Sequence, residues 1–140
     1  MVENPFSDIL LSQDATARLL EDLREALPDA VPVYRDSLPE KWNPNKGMAV
    51  VVADGPPQGG DVAHNRDLVR VTVHAHSRDL VRKFGRSISD YLLSPFGGLG
   101  LAISRSRSTR PIVGPDSLTG GYVSTASYSC GTSRRRISDD

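Results

Sequence analysis

The chain has 140 residues, of which 38% are hydrophobic, and its 17 Lys and Arg residues balance 17 Asp and Glu residues. This length suits one domain, and a net charge of zero gives no global reason to expect nucleic acid or an anionic membrane as the main partner. The charge is uneven, because acids are common before Asp61 and arginines concentrate after Arg66. We expect no signal peptide or membrane span, and a reducing cytoplasm in which Cys130 is a buried thiol rather than a nucleophile.

The N-terminal region is predicted to hold a loose arm, residues 1–11, followed by a first amphipathic helix. Ser12 is placed as the helix cap, Asp14 in the first turn, and Pro28 ends the helix. The apolar stripe consists of Ala15, Leu19, Leu20, Leu23 and Leu27. The charged residues predicted to face solvent or a partner are Glu21, Asp22, Arg24 and Glu25.

The next segments alternate short strands with loops. Residues 31–34 form a short edge strand limited by proline, and residues 36–46 form a polar loop around Trp42. Trp42 has two interpretations, an anchor at a subunit interface or a cap over the core. The continuous apolar run 48–53 predicts a central strand buried on both faces. Residues 54–60, DGPPQGG, predict a surface loop that leads to an antiparallel neighbour.

The stretch 67–93 switches from a strand pattern to a helix pattern. Its buried strand face carries Val69, Val71, Val73 and Ala75. Its opposite face carries Arg70, Thr72, His74 and His76. Ser77 caps the helix that follows, whose apolar stripe consists of Leu80, Val81, Phe84, Ile88, Tyr91 and Leu92. A strand that leads directly into a helix folded back over the sheet indicates an α+β domain.

The C-terminal part begins where the glycine-rich residues 94–100 end the second helix near Leu93. Residues 101–109 predict a strand with Leu101, Ile103, Arg105 and Arg107 on one face. Residues 111–121 are rich in turn formers, and residues 122–132 predict the final strand. The expected fold is α+β, a mostly antiparallel sheet of four to five strands with both helices on one face. The domain covers residues 12–136 and leaves 137–140 as a charged tail.

Sites of chemistry are poorly supported by the sequence. His74 and His76 have a spacing compatible with metal binding, but no third ligand is apparent and a polar sheet face explains them better. The FGGLG segment follows a helix, so it predicts a terminating turn rather than a phosphate loop. No serine lies in a G-x-S-x-G elbow, so we predict no enzyme and no cofactor. A basic surface made by Arg105, Arg107 and Arg110 together with residues 134–136 is interpreted as a solvated face or an ion-pairing subunit interface rather than a DNA site.

Two stretches carry a resemblance to a known family. They are VRVTVHAHSRDLVRKFGRSISDYLLSP, residues 69–95, and GYVSTASYSCGTSRRR, residues 121–136. Together with the order of helix, Pro-rich loop, two strands, helix and two closing strands, the chain resembles the tail terminator proteins of long-tailed bacteriophages. The resemblance spans residues 12–136 and concerns a pattern of strands and helices, with no invariant chemistry.

The resemblance implies a structural, non-enzymatic virion protein at the head–tail junction, assembled in the bacterial cytoplasm. Such proteins form a hexameric ring that caps the tail tube, contacts the major tail tube protein and the head–tail connector or stopper protein, and passes DNA only as cargo. No membrane partner is implied. The candidates for a subunit interface or the lumen are Arg70, Thr72, His74, His76, Arg105, Arg107, Arg110 and Trp42. The candidates for tube or neck contact are Asp54, Gly55, Gln58, Phe96 and Leu99.

Two alternatives stay open at this point. The first is a head-completion or stopper protein on the portal side of the neck, against which the two amphipathic helices weigh. The second is a small nucleic-acid-binding or metal-binding module that uses the histidines and arginines.

Overall fold

The computed structural model describes residues 10–11, 14–57, 64–94, 102–133 and 135–136. Within these ranges the chain forms two α-helices and eight β-strands. The helices are α1 (Ala15–Ala26) and α2 (Arg78–Leu92). The strands are β1 (Leu10–Leu11), β2 (Val33–Arg35), β3 (Ala49–Pro57), β4 (His64–Ala75), β5 (Ala102–Ser104), β6 (Ile112–Pro115), β7 (Tyr122–Ser133) and β8 (Arg135–Arg136).

The main sheet has six strands in the order β2-β3-β4-β7-β5, with β6 also paired to β7. Only the β2–β3 pair is parallel among the strand pairs of the described residues. The predicted α+β class and the mostly antiparallel sheet are therefore confirmed. The sheet exceeds the predicted four to five strands because residues 112–115, expected to be only turns, pair with β7. Outside this sheet, β1 pairs with β8 and so joins part of the predicted N-terminal arm to residues near the C-terminus.

One face of the sheet, here called the covered face, lies against both helices. Neighbouring strands align apolar residues there, as in the pairs Val50↔Val73 and Val52↔Val71, and Ala126 of β7 lies opposite Val71. These residues form one buried core with the apolar residues of both helices. Those helix residues are Ala15, Leu19, Leu20, Leu23, Val81, Ile88 and Leu92. The alternation predicted for β4 is thus confirmed, and Cys130 is buried as expected.

The other face, here called the open face, carries the residues between those valines. The register aligns Val51, Thr72 and Thr125 across three strands. It also aligns Ala53 with Arg70 of the neighbouring strand. Because successive side chains of a strand point to opposite faces, this row points away from the helix-covered core. Val51 is still buried, which confirms that the first part of β3 is buried on both faces.

The helix ends follow local capping chemistry. The Asp14 carboxylate accepts a hydrogen bond from the Ala17 amide at 3.0 Å, so Asp14 is the N-cap of α1, and the placement of Ser12 as the cap was wrong. An N-cap side chain accepts from a free amide two or three residues further on, and Asp14 lies three residues before Ala17. The predicted cap of α2 is confirmed, because the Ser77 hydroxyl accepts from the Leu80 amide. Leu80 itself is 38% exposed and does not belong to the buried stripe.

Of the four charged residues of α1 predicted to face solvent or a partner, Asp22 is buried, whereas Glu21, Arg24 and Glu25 are exposed. Asp22 is 7% exposed, and the Tyr91 hydroxyl of α2 donates to its carboxylate at 3.2 Å. The Arg24 guanidinium donates to the Val33 carbonyl of β2 at 2.8 Å. These polar contacts fasten α1 to its neighbours at the margin of the apolar core.

Candidate functional site

The open face forms a concavity of about 520 Å³, here called the open-face concavity. Its floor is the sheet, and its walls are the loop after β2 and the turn between β6 and β7. The floor residues are Val51, Ala53, Arg70, Thr72, His74 and Val123. The wall residues include Leu38, Pro39, Trp42, Asp116, Leu118 and Thr119. Three predicted site residues of β4 and the predicted Trp42 therefore meet in one place.

His74 lies in this concavity between an aromatic ring and a carboxylate. Trp42 packs against it edge-to-face, with ring centroids 5.7 Å apart and an interplanar angle of 68°. The His74 Nδ1 atom lies 3.6 Å from the Asp116 carboxylate, which is slightly beyond hydrogen-bond range. The side chains of His74 and Asp116 are 13% and 14% exposed. Trp42 is thus held over the open face of the sheet, opposite the helix-covered core.

The protonation of this pair is shaped by burial and by charge. Burial lowers the pKa of His74 below its usual 6.5, and the nearby Asp116 charge opposes that shift without reversing it. Burial raises the pKa of Asp116, but hydrogen bonds from Thr119 and Leu118 and the His74 charge lower it more, so it lies below 3.8. The pair therefore favours a neutral imidazole beside a charged carboxylate at neutral pH.

Asp116 was not among the residues that the sequence pointed to. Its carboxylate accepts hydrogen bonds from the Leu118 amide at 3.1 Å and from the Thr119 hydroxyl at 2.7 Å. These bonds close a turn in which Gly120 has a φ of +82°. The signal was the spacing of aspartate, threonine and glycine in a turn-rich segment. That spacing predicts a turn, but the position of the turn beside His74 depends on the pairing of β7 with β4.

A second concavity of about 570 Å³, here called the basic groove, lies between α2 and the segment after β5. Arg82 and Arg86 of α2 line one side, and Arg105 and Arg110 line the other. The Arg105 guanidinium donates to the Leu93 carbonyl at 3.3 Å. Arg105 lies in a turn, because β5 ends at Ser104. The prediction that Arg105 and Arg107 continue a strand was therefore wrong.

A third cluster surrounds the start of α1 and the middle of β3. Arg35 lies 3.1 Å from the Asp14 carboxylate and 4.0 Å from that of Asp54, and the Thr16 hydroxyl donates to Asp54. Burial raises the pKa of Asp14, but the Ala17 amide and the Arg35 guanidinium lower it more, so it lies below its usual 3.8. Asp54 and Gly55 belong to β3, so the prediction that a loop begins at residue 54 was wrong. The reason is that β3 continues its pairing with β4 through a register shift between Asp54 and Pro57.

The remaining predicted residues are dispersed. His76 lies beyond the end of β4 and is exposed, so it does not share a strand face with His74 as predicted. Arg107 is exposed in the turn after β5, outside both concavities. Gln58, Phe96 and Leu99 lie outside the described residues, as do the FGGLG segment and the end of DGPPQGG.

The described part of the chain offers three surfaces for contact, which are the open-face concavity, the basic groove and the cluster around Arg35. Among its residues, no three His, Cys, Asp or Glu side chains are grouped as metal ligands. Within the same ranges, neither helix is both long and apolar enough to cross a membrane. No protein-family model matches the chain, and no curated protein matches it either.

Proposed function

We propose that this chain is a structural subunit of a phage tail terminator, forming a ring on the head-proximal end of the tail tube. The ring stops the addition of tube subunits and offers a surface to the neck of the filled head. The proposal rests on the resemblance of residues 69–95 and 121–136 to that family. The observation that supports it best is the two-faced sheet, with both helices on one face and an opposite face that mixes polar and apolar side chains.

The open face suits the wall of a passage for DNA. Affinity for DNA grows with the number of lysine and arginine contacts to phosphate, so a wall that must let DNA slide needs few of them. The floor of the open-face concavity combines Arg70 with Thr72, His74 and apolar side chains. In the proposed ring this face looks toward the lumen, and the helices of the covered face lie outside.

The experiment is to stop the gene for this chain early in the phage that encodes it and to measure tails by negative-stain electron microscopy. We expect tails that are over-long, variable in length and unattached to heads. Supplying the intact chain from a plasmid serves as the control and restores normal length. Tails of normal length beside filled heads that lose their contents would instead assign the chain to the head side, as a head-completion or stopper protein.

Two measurements on the purified chain distinguish the proposed function from the alternative of a metal-binding or nucleic-acid-binding module. Metal analysis should find no stoichiometric metal, and binding of short duplex DNA should be weak. Tight DNA binding that falls steeply with salt concentration would contradict the proposal, because that slope counts the phosphate contacts of a dedicated site.

A further inference from the structure

We infer that the basic groove receives the acidic edge of a second copy of this chain, in a head-to-tail contact between neighbours. The acidic edge is defined by the exposed residues Glu21, Glu25 and Asp29 on and just after α1. This inference deepens the proposed function by naming the contact between ring subunits. The inference rests on the proposed function in one respect, which is that the contacts between copies close into a ring.

The groove has the make-up of a protein-binding surface. Arg82 and Arg86 are four residues apart on α2 and so lie on one flank of the helix, facing the cleft. The floor is apolar, formed by Leu93, Pro111 and Val113. Within the described ranges, none of the four groove arginines, which are Arg82, Arg86, Arg105 and Arg110, forms an ion pair. Their charge is therefore available to an outside partner.

The partner is indicated by how charge divides along the chain. Residues 1–61 contain 11 acidic and 5 basic residues, whereas residues 62–140 contain 6 acidic and 12 basic ones, so the net charges are −6 and +6. In the fold, α1 packs on β2 and β3, α2 packs on β7, β4 and β6, and the Tyr91 hydroxyl of α2 donates to the Asp22 carboxylate of α1. Arg82 and Arg86 precede Tyr91 by nine and five residues and so lie on the flank of α2 away from α1, which makes the basic groove and the acidic edge separate surfaces on neighbouring helices. A neighbour that places its acidic edge against the groove neutralises the charge of the arginines. Repetition of such a heterologous contact closes a ring when the rotation between neighbours permits it.

The spacing on the two helices is also complementary. Glu21 and Glu25 form a like-charge pair four residues apart on α1, as Arg82 and Arg86 do on α2. Such pairs destabilise an isolated helix by a few tenths of a kcal/mol, and each is neutralised when the opposite pair lies against it. The two helices thus carry matched charges at the same interval.

A nucleic acid fits the groove less well than a carboxylate-bearing helix. Asp90 lines the cleft beside the arginines, and its carboxylate opposes any anionic partner, so the apolar floor must decide between a protein and a nucleic acid. The apolar floor offers nothing to a sugar–phosphate backbone but can bury the apolar part of a protein segment. The zero net charge of the chain removes long-range attraction to a polyanion.

The test is a charge swap measured by analytical ultracentrifugation at low and high salt. One variant combines Arg82→Glu with Arg86→Glu, and the other combines Glu21→Lys with Glu25→Lys. Each variant alone should associate more than about tenfold more weakly than the wild-type chain, because close charge pairs across an interface couple strongly. Mixing the two variants should restore association, since each acidic surface then meets a basic one. Lys83→Glu is the matched control, a charge reversal at an exposed residue of α2 that does not line the groove, and should associate like the wild-type chain.

Three results would overturn the inference. They are variants that associate as well as the wild-type chain, a wild-type chain that is monomeric at every soluble concentration, and duplex DNA binding that the groove variant abolishes. Tail length in phage that lack the gene tests the proposed function, and self-association of the charge-swap variants tests this inference. Over-long tails after loss of the gene, with self-association insensitive to the swap, would refute the contact alone. Normal tails after loss of the gene, with swap-sensitive association, would refute the function alone.

Discussion

The two faces of the sheet are formed by the same strands but differ in how deeply their side chains are buried. On β4, Val71 and Val73 point into the helix-covered core and are at most 3% exposed. Thr72 and His74, which alternate with them along the strand, point into the open-face concavity. Burial of apolar area is the main source of folding free energy, so stability is concentrated on the covered face. The open face contributes less to stability, and its side chains are correspondingly free to serve contacts with other molecules.

The largest expected effect compares the same substitution at a buried and an exposed leucine. Leu23 is fully buried between α1 and the sheet, and Leu118 on the rim of the open-face concavity is 94% exposed. We expect Leu23→Ala to lower the free energy of unfolding by about 2–5 kcal/mol through lost burial and a cavity. Leu118→Ala should change it by less than about 0.5 kcal/mol. Urea unfolding followed by circular dichroism measures both, and equal losses would contradict the division between the faces.

A glycine where α2 crosses β7 tests how closely the covered face is packed. A Cβ on Gly85 would lie 2.9 Å from the Ser124 Cβ, whereas a Cβ on Gly114 would have no atom within 4 Å. We expect Gly85→Ala to cost about 1–3 kcal/mol through overpacking, reduced by the gain of about 1 kcal/mol for replacing a helical glycine.

The control for this prediction is Gly114→Ala, for which thermal unfolding should show little change. The double variant Gly85→Ala with Ser124→Gly moves the small residue to the opposite partner and should recover most of the loss. A double variant that is no more stable than Gly85→Ala alone would show that the close approach at Ser124 is not the cause.

The hydrogen bond between the helices is the next test of the covered face. Tyr91→Phe removes the hydroxyl that donates to the buried Asp22 carboxylate at 3.2 Å. We expect a loss of about 1.5–3 kcal/mol, the usual range for a hydrogen bond to a charged group. Asp22→Asn keeps an acceptor and should lose less, as judged by urea unfolding at neutral pH. A larger loss for Asp22→Asn than for Tyr91→Phe would show that other partners of Asp22 carry its contribution.

Much of the covered face was predictable because its signal is local. The alternation at Val69, Val71 and Val73 and the cap at Ser77 follow from neighbouring residues, and both are found in the structure. The strand β6 was missed because Ile112 to Pro115 are held by pairing with a strand ten residues later, not by their own preferences. Asp22 was misplaced for the same reason, since Tyr91, its partner, is 69 residues away.

The candidate sites also have a part that the sequence predicted and a part that it did not. Arg70, Thr72 and His74 were predicted to share a face because two-residue spacing on a strand requires it. The contact of His74 with Asp116 and the meeting of Arg82 and Arg86 with Arg105 and Arg110 could not be predicted. Both depend on which turns and strands become neighbours in the folded sheet, and that information does not lie within any short stretch of the chain.

The smallest expected effect belongs to the open face and depends on pH. The pKa of His74 is lowered below 6.5 in the folded chain because burial disfavours the imidazolium. Protonation therefore favours the unfolded state. The stabilisation from His74 is fully present above about pH 6.5 and is lost as the pH falls through the folded pKa. Asp116 titrates below 3.8 and leaves this window undisturbed.

We therefore expect the free energy of unfolding to fall slightly between about pH 7 and pH 5, and His74→Gln to flatten that dependence because the amide does not titrate. His76→Gln is the matched control, because His76 is exposed beyond the strand end, and it should keep the wild-type slope. Urea unfolding at several pH values measures all three chains. A wild-type slope in His74→Gln would mean that other groups set the pH dependence. A rise in stability on acidification that His74→Gln removes would mean that the Asp116 charge outweighs burial at His74. The open face would then contribute an ion pair to stability, and the contrast between the two faces would be weaker than the packing alone indicates.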